Sequence, residues 1–148
     1  PGNMDPPVVT VDAGGALSRS SDEAFPGGRI TIGGVAKGSG TPHPNMPTML
    51  AVLATDAPLP GYRLQRILNA AVSRSFHHIT VDGDTSTNDA VLLLGARPAP
   101  NVIADEDALA ALVLRGVTAV AERLADAILS DGEGAPRANV SINANHII

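Results

Sequence analysis

The chain has 148 residues and a formal net charge of −5 at pH 7, which suggests one domain, or part of a larger one, with an acidic surface. Hydrophobic residues make up 44% of it, but with two Phe, one Tyr and no Trp its core must be aliphatic. The lack of cysteine excludes thiol catalysis, disulfides and cysteine-based zinc sites within these residues.

The acidic balance also bears on partners and location. Excess negative charge repels phosphate groups, and few aromatic rings are present to stack on bases, so we expect no nucleic acid and no membrane as partner. Residues 1–7 lack the pattern of a secretion signal, and no apolar run reaches the roughly 18 residues of a membrane span. We therefore predict a cytoplasmic protein.

Residues 1–28 are rich in Pro, Gly, Ser and Asp. This composition predicts a flexible or irregular N-terminal arm, in which only residues 8–11 read as a candidate strand. The domain proper is then expected over residues 29–148.

Two strands and a loop are predicted next. Residues 29–35 alternate as a strand does, and Gly33 and Gly34 either break that strand or let another backbone approach closely. Residues 37–47 contain several Gly and Pro and must be a loop, whereas residues 49–55 are a short apolar run typical of a buried strand.

The central part of the chain predicts one helix and two further strands. Apolar residues recur at helical spacing over residues 62–75. Residues 78–82 read as a strand and residues 82–89 as a polar turn. The continuous apolar run over residues 90–96 is typical of a strand buried on both faces.

A second helix begins after three acidic residues, 105–107, which suit the positive end of a helix dipole. Gly116 lies on its apolar stripe, where it permits close packing, and residues 131–132 (DG) should end the helix. The apolar stripe of this helix consists of Leu109, Leu112, Val113, Val117, Val120, Leu124 and Ile128.

Residues 138–144 alternate and are a candidate final strand. The order of elements predicts an α+β fold of mixed layers.

Lys37 lies in the glycine-rich run GGVAKGSG, residues 33–40. An ammonium group beside glycines has open space around it, so it can bind a carboxylate or hold a nucleophile deprotonated. The alternative is a surface lysine next to a glycine turn. The run is not a phosphate-binding P-loop, because Lys37 follows Ala36 and precedes Gly38.

Thr48 opens an apolar strand directly after the loop. A threonine can act as a nucleophile when its own amino group is freed to serve as the base, which requires cleavage of the Pro47–Thr48 peptide bond. From spacing alone, an ordinary threonine at a strand start is the favoured interpretation.

The polar run at residues 82–89 is dense in oxygen donors, but its register does not fit an EF-hand. Thr87 stands where Gly is needed and Leu93 where the bidentate Glu is needed. We predict a turn whose side chains bond their own backbone, and no metal site. Glu133, on composition alone, is a solvated turn residue.

Three blocks of sequence together resemble the ornithine acetyltransferase family. They occur in the family's order with a helix between each, and the match is dense from about residue 30 to 94 and absent before residue 28. The first resembles the family's self-cleavage region and consists of residues 33–40 (GGVAKGSG), 44–50 (PNMPTML) and 55–57 (TDA). The second consists of residues 79–89 (ITVDGDTSTND) and 91–94 (VLLL), and the third of residues 131–135 (DGEGA).

The resemblance implies two β-sheets packed between helical layers, of which this chain is a partial version. It also implies an N-acetyltransferase of arginine biosynthesis that cleaves itself before Thr48 and moves acetyl from N-acetylornithine to glutamate through a threonine acyl-enzyme. Thr48 matches the family's acyl carrier, and Lys37 and Glu133 match its substrate-binding lysine and glutamate.

The resemblance bears on ligands and partners as well. Amino-acid substrates are the expected small-molecule partners. No cofactor is implied, although some family members use acetyl-CoA as donor. Because a partial sheet has open edges, we expect a homo-oligomer or association with a missing segment.

Departures from the family pattern leave alternatives open. Pro47 replaces a small residue, and its fixed φ works against self-cleavage. The family's oxyanion-hole Thr-Gly pair has no counterpart in residues 1–28, and family chains continue well past the third block. The alternatives are a non-catalytic or truncated relic or assembly domain of the same fold, and an amide hydrolase in which water replaces glutamate.

Overall fold

The computed structural model describes residues 6–18, 24–37, 49–76 and 89–133, with side chains of the last segment described through residue 128. These residues form one mixed sheet and two helices, so the predicted α+β class is confirmed and is consistent with a partial version of the expected layered fold. No helix in this part of the chain is long and apolar enough to cross a membrane.

The sheet has four strands in the order β1-β2-β3-β4. They are β1 (Val8–Asp12), β2 (Arg29–Lys37), β3 (Leu50–Thr55) and β4 (Ala90–Gly95). The β1–β2 and β2–β3 pairs are antiparallel, and the β3–β4 pair is parallel. A parallel pair needs a crossover connection, and the helix α1 (Gly61–Arg74) lies in that connection.

The core lies between one face of the sheet and the helices. Alternation places Ile30, Ile32 and Leu53 on that face, each fully buried. The long helix α2 (Glu106–Glu133) covers β1 and β2 and packs beside α1. The predicted stripe is its buried side, since Leu109, Val113, Val117 and Val120 have no exposed surface.

The N-terminal arm prediction needs correction where the structure describes it. The candidate strand at residues 8–11 is confirmed as β1, but it is paired along its whole length with β2. Val9, Val11 and Leu17 are buried in the same core as the helices, and Leu17 forms a bridge to Ile103. The sheet and core therefore begin before residue 29.

Three further expectations differ from the structure, the first only in part. Gly33 and Gly34 do not break β2, which is continuous through them. Another backbone does approach Gly33, where the Pro7 carbonyl oxygen would lie 3.6 Å from an added Cβ, whereas side chains pack closest to Gly34. The helix α2 runs through Glu133 instead of ending at residues 131–132. The strand β4 is not buried on both faces, because Leu92 and Leu94 are 50% and 56% exposed.

The two helices are tied together at their first turns. Arg63 of α1 donates from Nε to Glu106 Oε1 of α2 at 2.9 Å and also pairs with Asp107. Tyr62 adds a hydroxyl bond to Glu106 at 3.2 Å. The carboxylates raise the pKa of the Arg63 guanidinium above its usual value, with Asp107 the larger cause and Glu106 the second.

The predicted strands at residues 78–82 and 138–144 lie outside the described residues.

Candidate functional site

Lys37 is the last residue of β2 and is exposed, so its ammonium group is open to a ligand. It stands opposite Leu50, the first residue of β3, and Leu50 in turn stands beside Ala90, the first residue of β4. The end of one strand and the starts of two others thus meet at a single end of the sheet.

The helix α2 runs toward the same end. Gly116 packs against Ile32, and Leu124, farther along the helix, packs against Gly34, farther along β2. The helix therefore runs in the direction of β2, and Glu133, its last residue, lies toward the Lys37 end of the layers. The Glu133 side chain is outside the described part of the structure.

Thr48 and Pro47, the predicted nucleophile and cleavage site, also lie outside the described residues. The described chain resumes at Met49, immediately after Thr48. Met49 donates its amide hydrogen to Asp89 Oδ1 at 2.8 Å, and its carbonyl accepts from the Ala90 amide at 3.0 Å. Both polar backbone groups of Met49, the residue after Thr48, are thus held by Asp89 and Ala90 at the beginning of β4.

Sequence reasoning missed Asp89 as a member of this site. Residues 82–89 were expected to bond their own backbone, but the Asp89 carboxylate bonds Met49, 40 positions away in the chain. The position of Asp89 directly before an apolar strand was visible in the sequence. Its partner was not, because only the parallel pairing of β3 and β4 brings the two together.

The third segment of the self-cleavage block, residues 55–57, lies at the opposite end of β3. Thr55 donates its hydroxyl to the Thr31 carbonyl at 3.0 Å and accepts from the Ala57 amide at 3.2 Å. Asp56 accepts from the Thr31 amide at 2.8 Å. These residues fasten the end of β3 to β2, so within the described structure they belong to the scaffold.

A groove of about 340 Å³ lies between α1 and the end of β4. It is far from Lys37, since it is lined from the last residues of β4 and the first half of α1. Its lining carries no titratable side chain among the described residues, and the groove therefore offers no acid, base or nucleophile. The lining includes Leu59, Leu64, Leu68, Leu93 and Pro98.

A family model matches nearly the whole chain, and named relatives match about three quarters of it. A family model described as the ArgJ family matches residues 7–146. A relative from Listeria monocytogenes named "Arginine biosynthesis bifunctional protein ArgJ" is 48% identical over 112 residues, which is 75% of this chain and 28% of the relative. A relative of the same name from Methylococcus capsulatus is 50% identical over 109 residues, 73% of this chain and 27% of the relative.

Fungal relatives match to the same degree. The relative from Clavispora lusitaniae, named "Arginine biosynthesis bifunctional protein ArgJ, mitochondrial", is 48% identical over 114 residues, 75% of this chain and 27% of the relative. The chain thus spans roughly a quarter of the length of these relatives.

The protein is an α+β layered domain. The end of β2, which carries Lys37, and the starts of β3 and β4 meet at one end of its sheet. A family model recognises its sequence from residue 7 onward, so the expectation that the match begins only after residue 28 is wrong. The chain belongs to the ArgJ family.

Proposed function

We propose that this chain carries the nucleophile and part of the substrate site of an acetyltransferase of arginine biosynthesis. Acetyl moves from N-acetylornithine to Thr48 and then from Thr48 to glutamate, with acetyl-CoA as a further donor. The observation that carries the proposal is the meeting of Lys37 with the start of β3, the strand that directly follows Thr48, in a member of the ArgJ family.

The reaction divides one difficult acyl transfer into two easier ones. Cleavage of the Pro47–Thr48 bond frees the Thr48 amine, which takes the proton from the Thr48 hydroxyl as Oγ1 attacks the acetyl carbonyl carbon. The amide bond breaks, and ornithine leaves after receiving that proton. The amino group of glutamate then attacks the ester, its proton passes through the same amine to Oγ1, and N-acetylglutamate leaves.

Lys37 and Glu133 suit the two charges of an amino-acid substrate. The Lys37 ammonium binds the substrate carboxylate, and a carboxylate at Glu133 binds the substrate ammonium, both as charge-assisted hydrogen bonds. Support for this pairing comes from the common direction of β2 and α2, which brings both residues toward one end of the layers.

The first test is the intact mass of the purified protein under denaturing conditions. Cleavage before Thr48 gives a piece of 47 residues and, since the chain has 148, a second piece of 101. Thr48→Val should remain uncut, whereas Thr48→Ser keeps a hydroxyl and should be cut. Thr10→Val, at an exposed position on β1, is the matched control and should be cut like the parent.

The second test measures acetyl transfer from N-acetylornithine with and without glutamate. Transfer that requires glutamate and is lost in Thr48→Val supports the proposal. Release of acetate without glutamate would instead identify an amide hydrolase.

A non-catalytic assembly domain is the alternative that Pro47 favours, because a fixed φ at the cleavage site resists the strained geometry that self-cleavage needs. An uncut chain of 15.0 kDa with no transfer activity would establish this alternative.

A further inference from the structure

The Met49 backbone is held on both sides by the start of β4. Asp89 Oδ1 accepts from the Met49 amide at 2.8 Å, and the Ala90 amide donates to the Met49 carbonyl at 3.0 Å. The second bond extends the parallel pairing of β3 and β4 by one step. The first is made by a side chain, one residue before the described pairing of the two strands begins.

The Met49 N–H belongs to the peptide group that also contains the Thr48 carbonyl. A peptide group is planar, so its six atoms, including the Cα of the preceding residue, move as one unit. A hydrogen bond that fixes the Met49 N–H therefore restricts rotation of the whole group that carries Thr48. A carboxylate is a stronger acceptor than a neutral group, which suits an exposed position where water competes.

We propose that Asp89 is a positioning residue for Thr48: its carboxylate orients the Thr48–Met49 peptide group and thereby aims the nucleophile. The inference rests on the proposed acyl transfer. Asp89 acts through Met49 and does not touch substrate, so its removal should reduce the rate of the chemical step rather than substrate binding.

Two substitutions separate this role from a purely structural one. Asp89→Ala removes the acceptor, and we expect kcat for acetyl transfer to fall by about 10²-fold, the usual scale for a misplacement near 1 Å. KM for N-acetylornithine should stay within about two-fold, since Asp89 makes none of the contacts that bind the substrate equally in the ground state and the transition state. Asp89→Asn keeps an oxygen that accepts from Met49, and it should restore most of kcat.

Asp12→Ala is the matched control. The Asp12 carboxylate also accepts from an exposed backbone amide, that of Gly14 at 3.0 Å, but it lies at the end of β1 paired with Arg29, away from Lys37. This variant loses the same kind of bond and should keep the parent kcat. Hydrogen exchange at the Met49 amide is a second readout and should be faster in Asp89→Ala than in Asp89→Asn.

The assays use the longest natural chain that contains these residues, and kcat is expressed per folded protein. If the parent transfers acetyl and Asp89→Ala keeps its kcat, or Asp89→Asn loses as much as Asp89→Ala, the positioning role is overturned while the proposed function stands. If the parent transfers no acetyl in a Thr48-dependent way, the proposed function fails and the positioning role fails with it. Unchanged Met49 exchange in Asp89→Ala would also overturn the inference, even if that variant were too unstable to assay.

Discussion

Gly116 of α2 lies against Ile32 of β2, and a side chain at residue 116 would require Ile32 to shift. A methyl group built on Gly116 would overlap Ile32 Cδ1 and approach Val11 Cγ2 to 3.0 Å. The glycine therefore lets the long helix pack closely against Ile32 of β2 and Val11 of β1.

We predict that Gly116→Ala destabilises the fold, although alanine is the better helix former. The propensity gain is about 1 kcal/mol, but overpacking a filled core costs about 1–3 kcal/mol. The expected net loss is about 1 kcal/mol in the free energy of unfolding, measured by urea denaturation. Gly61→Ala, at a helical glycine with open space around it, is the control and should not destabilise.

The overlap with Ile32 can be isolated by a double-mutant cycle. Ile32→Val removes Cδ1 and by itself costs about 0.5–1.5 kcal/mol. In that background the penalty of Gly116→Ala should shrink or reverse, because the overlapping atom is gone. Strictly additive effects would show that Ile32 is not the reason for the glycine.

Thr55 is predicted to contribute through its hydroxyl rather than its methyl group. Thr55→Val removes the acceptor of the buried Ala57 amide and the donor to the Thr31 carbonyl. Leaving the buried Ala57 amide unpaired costs about 1–3 kcal/mol, whereas the Thr31 carbonyl still accepts from the Asp56 amide. Thr55→Ser keeps both bonds and should lose less than about 1 kcal/mol, the value of one methyl group. Equal unfolding free energies for the two variants would contradict this role.

Much of the scaffold was predictable because it depends on local spacing. Helix α1 was expected over residues 62–75 and is observed at Gly61–Arg74, since its apolar residues recur at a period that only a helix satisfies. The stripe of α2 was likewise readable. Lys37 could be singled out because it lies in a glycine-rich run of the sequence.

The rest depends on which segments meet in space. The run in β4 is apolar throughout, so its composition alone does not tell an edge strand with one open face from a strand buried on both. The segment before residue 29 looks like a loop by composition, yet Val9 and Val11 complete the core through pairing with β2. The Asp89–Met49 bond likewise joins two distant segments.

The ion pairs of Arg63 should make stability depend on salt. Salt screens exposed charges, with a Debye length of about 3 Å at 1 M compared with about 10 Å at 0.1 M. We expect Arg63→Gln to lower the melting temperature at low ionic strength and to approach the parent in concentrated NaCl. Arg66→Gln, exposed on the same helix, is the control and should show no such convergence.

The two carboxylates that pair with Arg63 are not equivalent. The Glu106 side chain is 35% exposed and Asp107 is 83% exposed, so solvent screens the second pair more. Glu106→Gln should therefore lower the melting temperature more than Asp107→Asn does, although Asp107 is the larger cause of the raised Arg63 pKa, because screening by solvent weakens the more exposed pair. The reverse order would show that Asp107 is the main partner for stability.

The face of the sheet opposite the helices predicts association. Val35, Val52 and Leu92 stand in one row across β2, β3 and β4, and Val35 and Leu92 are 55% and 50% exposed. A contiguous apolar surface of this kind usually marks a contact with another chain or segment. We predict that the chain is not a free monomer, as sedimentation velocity would measure.

Polar substitutions on this face test whether it is the contact. Leu92→Thr combined with Val35→Thr should shift the sedimentation coefficient toward that of a monomer, because threonine keeps strand propensity while removing apolar surface. Ala111→Thr, at an exposed position of α2, should leave the distribution unchanged. A strictly monomeric parent would contradict the prediction of association. A parent that stays associated after the double substitution would place the contact elsewhere. The outer edges of β1 and β4, which pair with no further strand within the described residues, are the next surfaces to test.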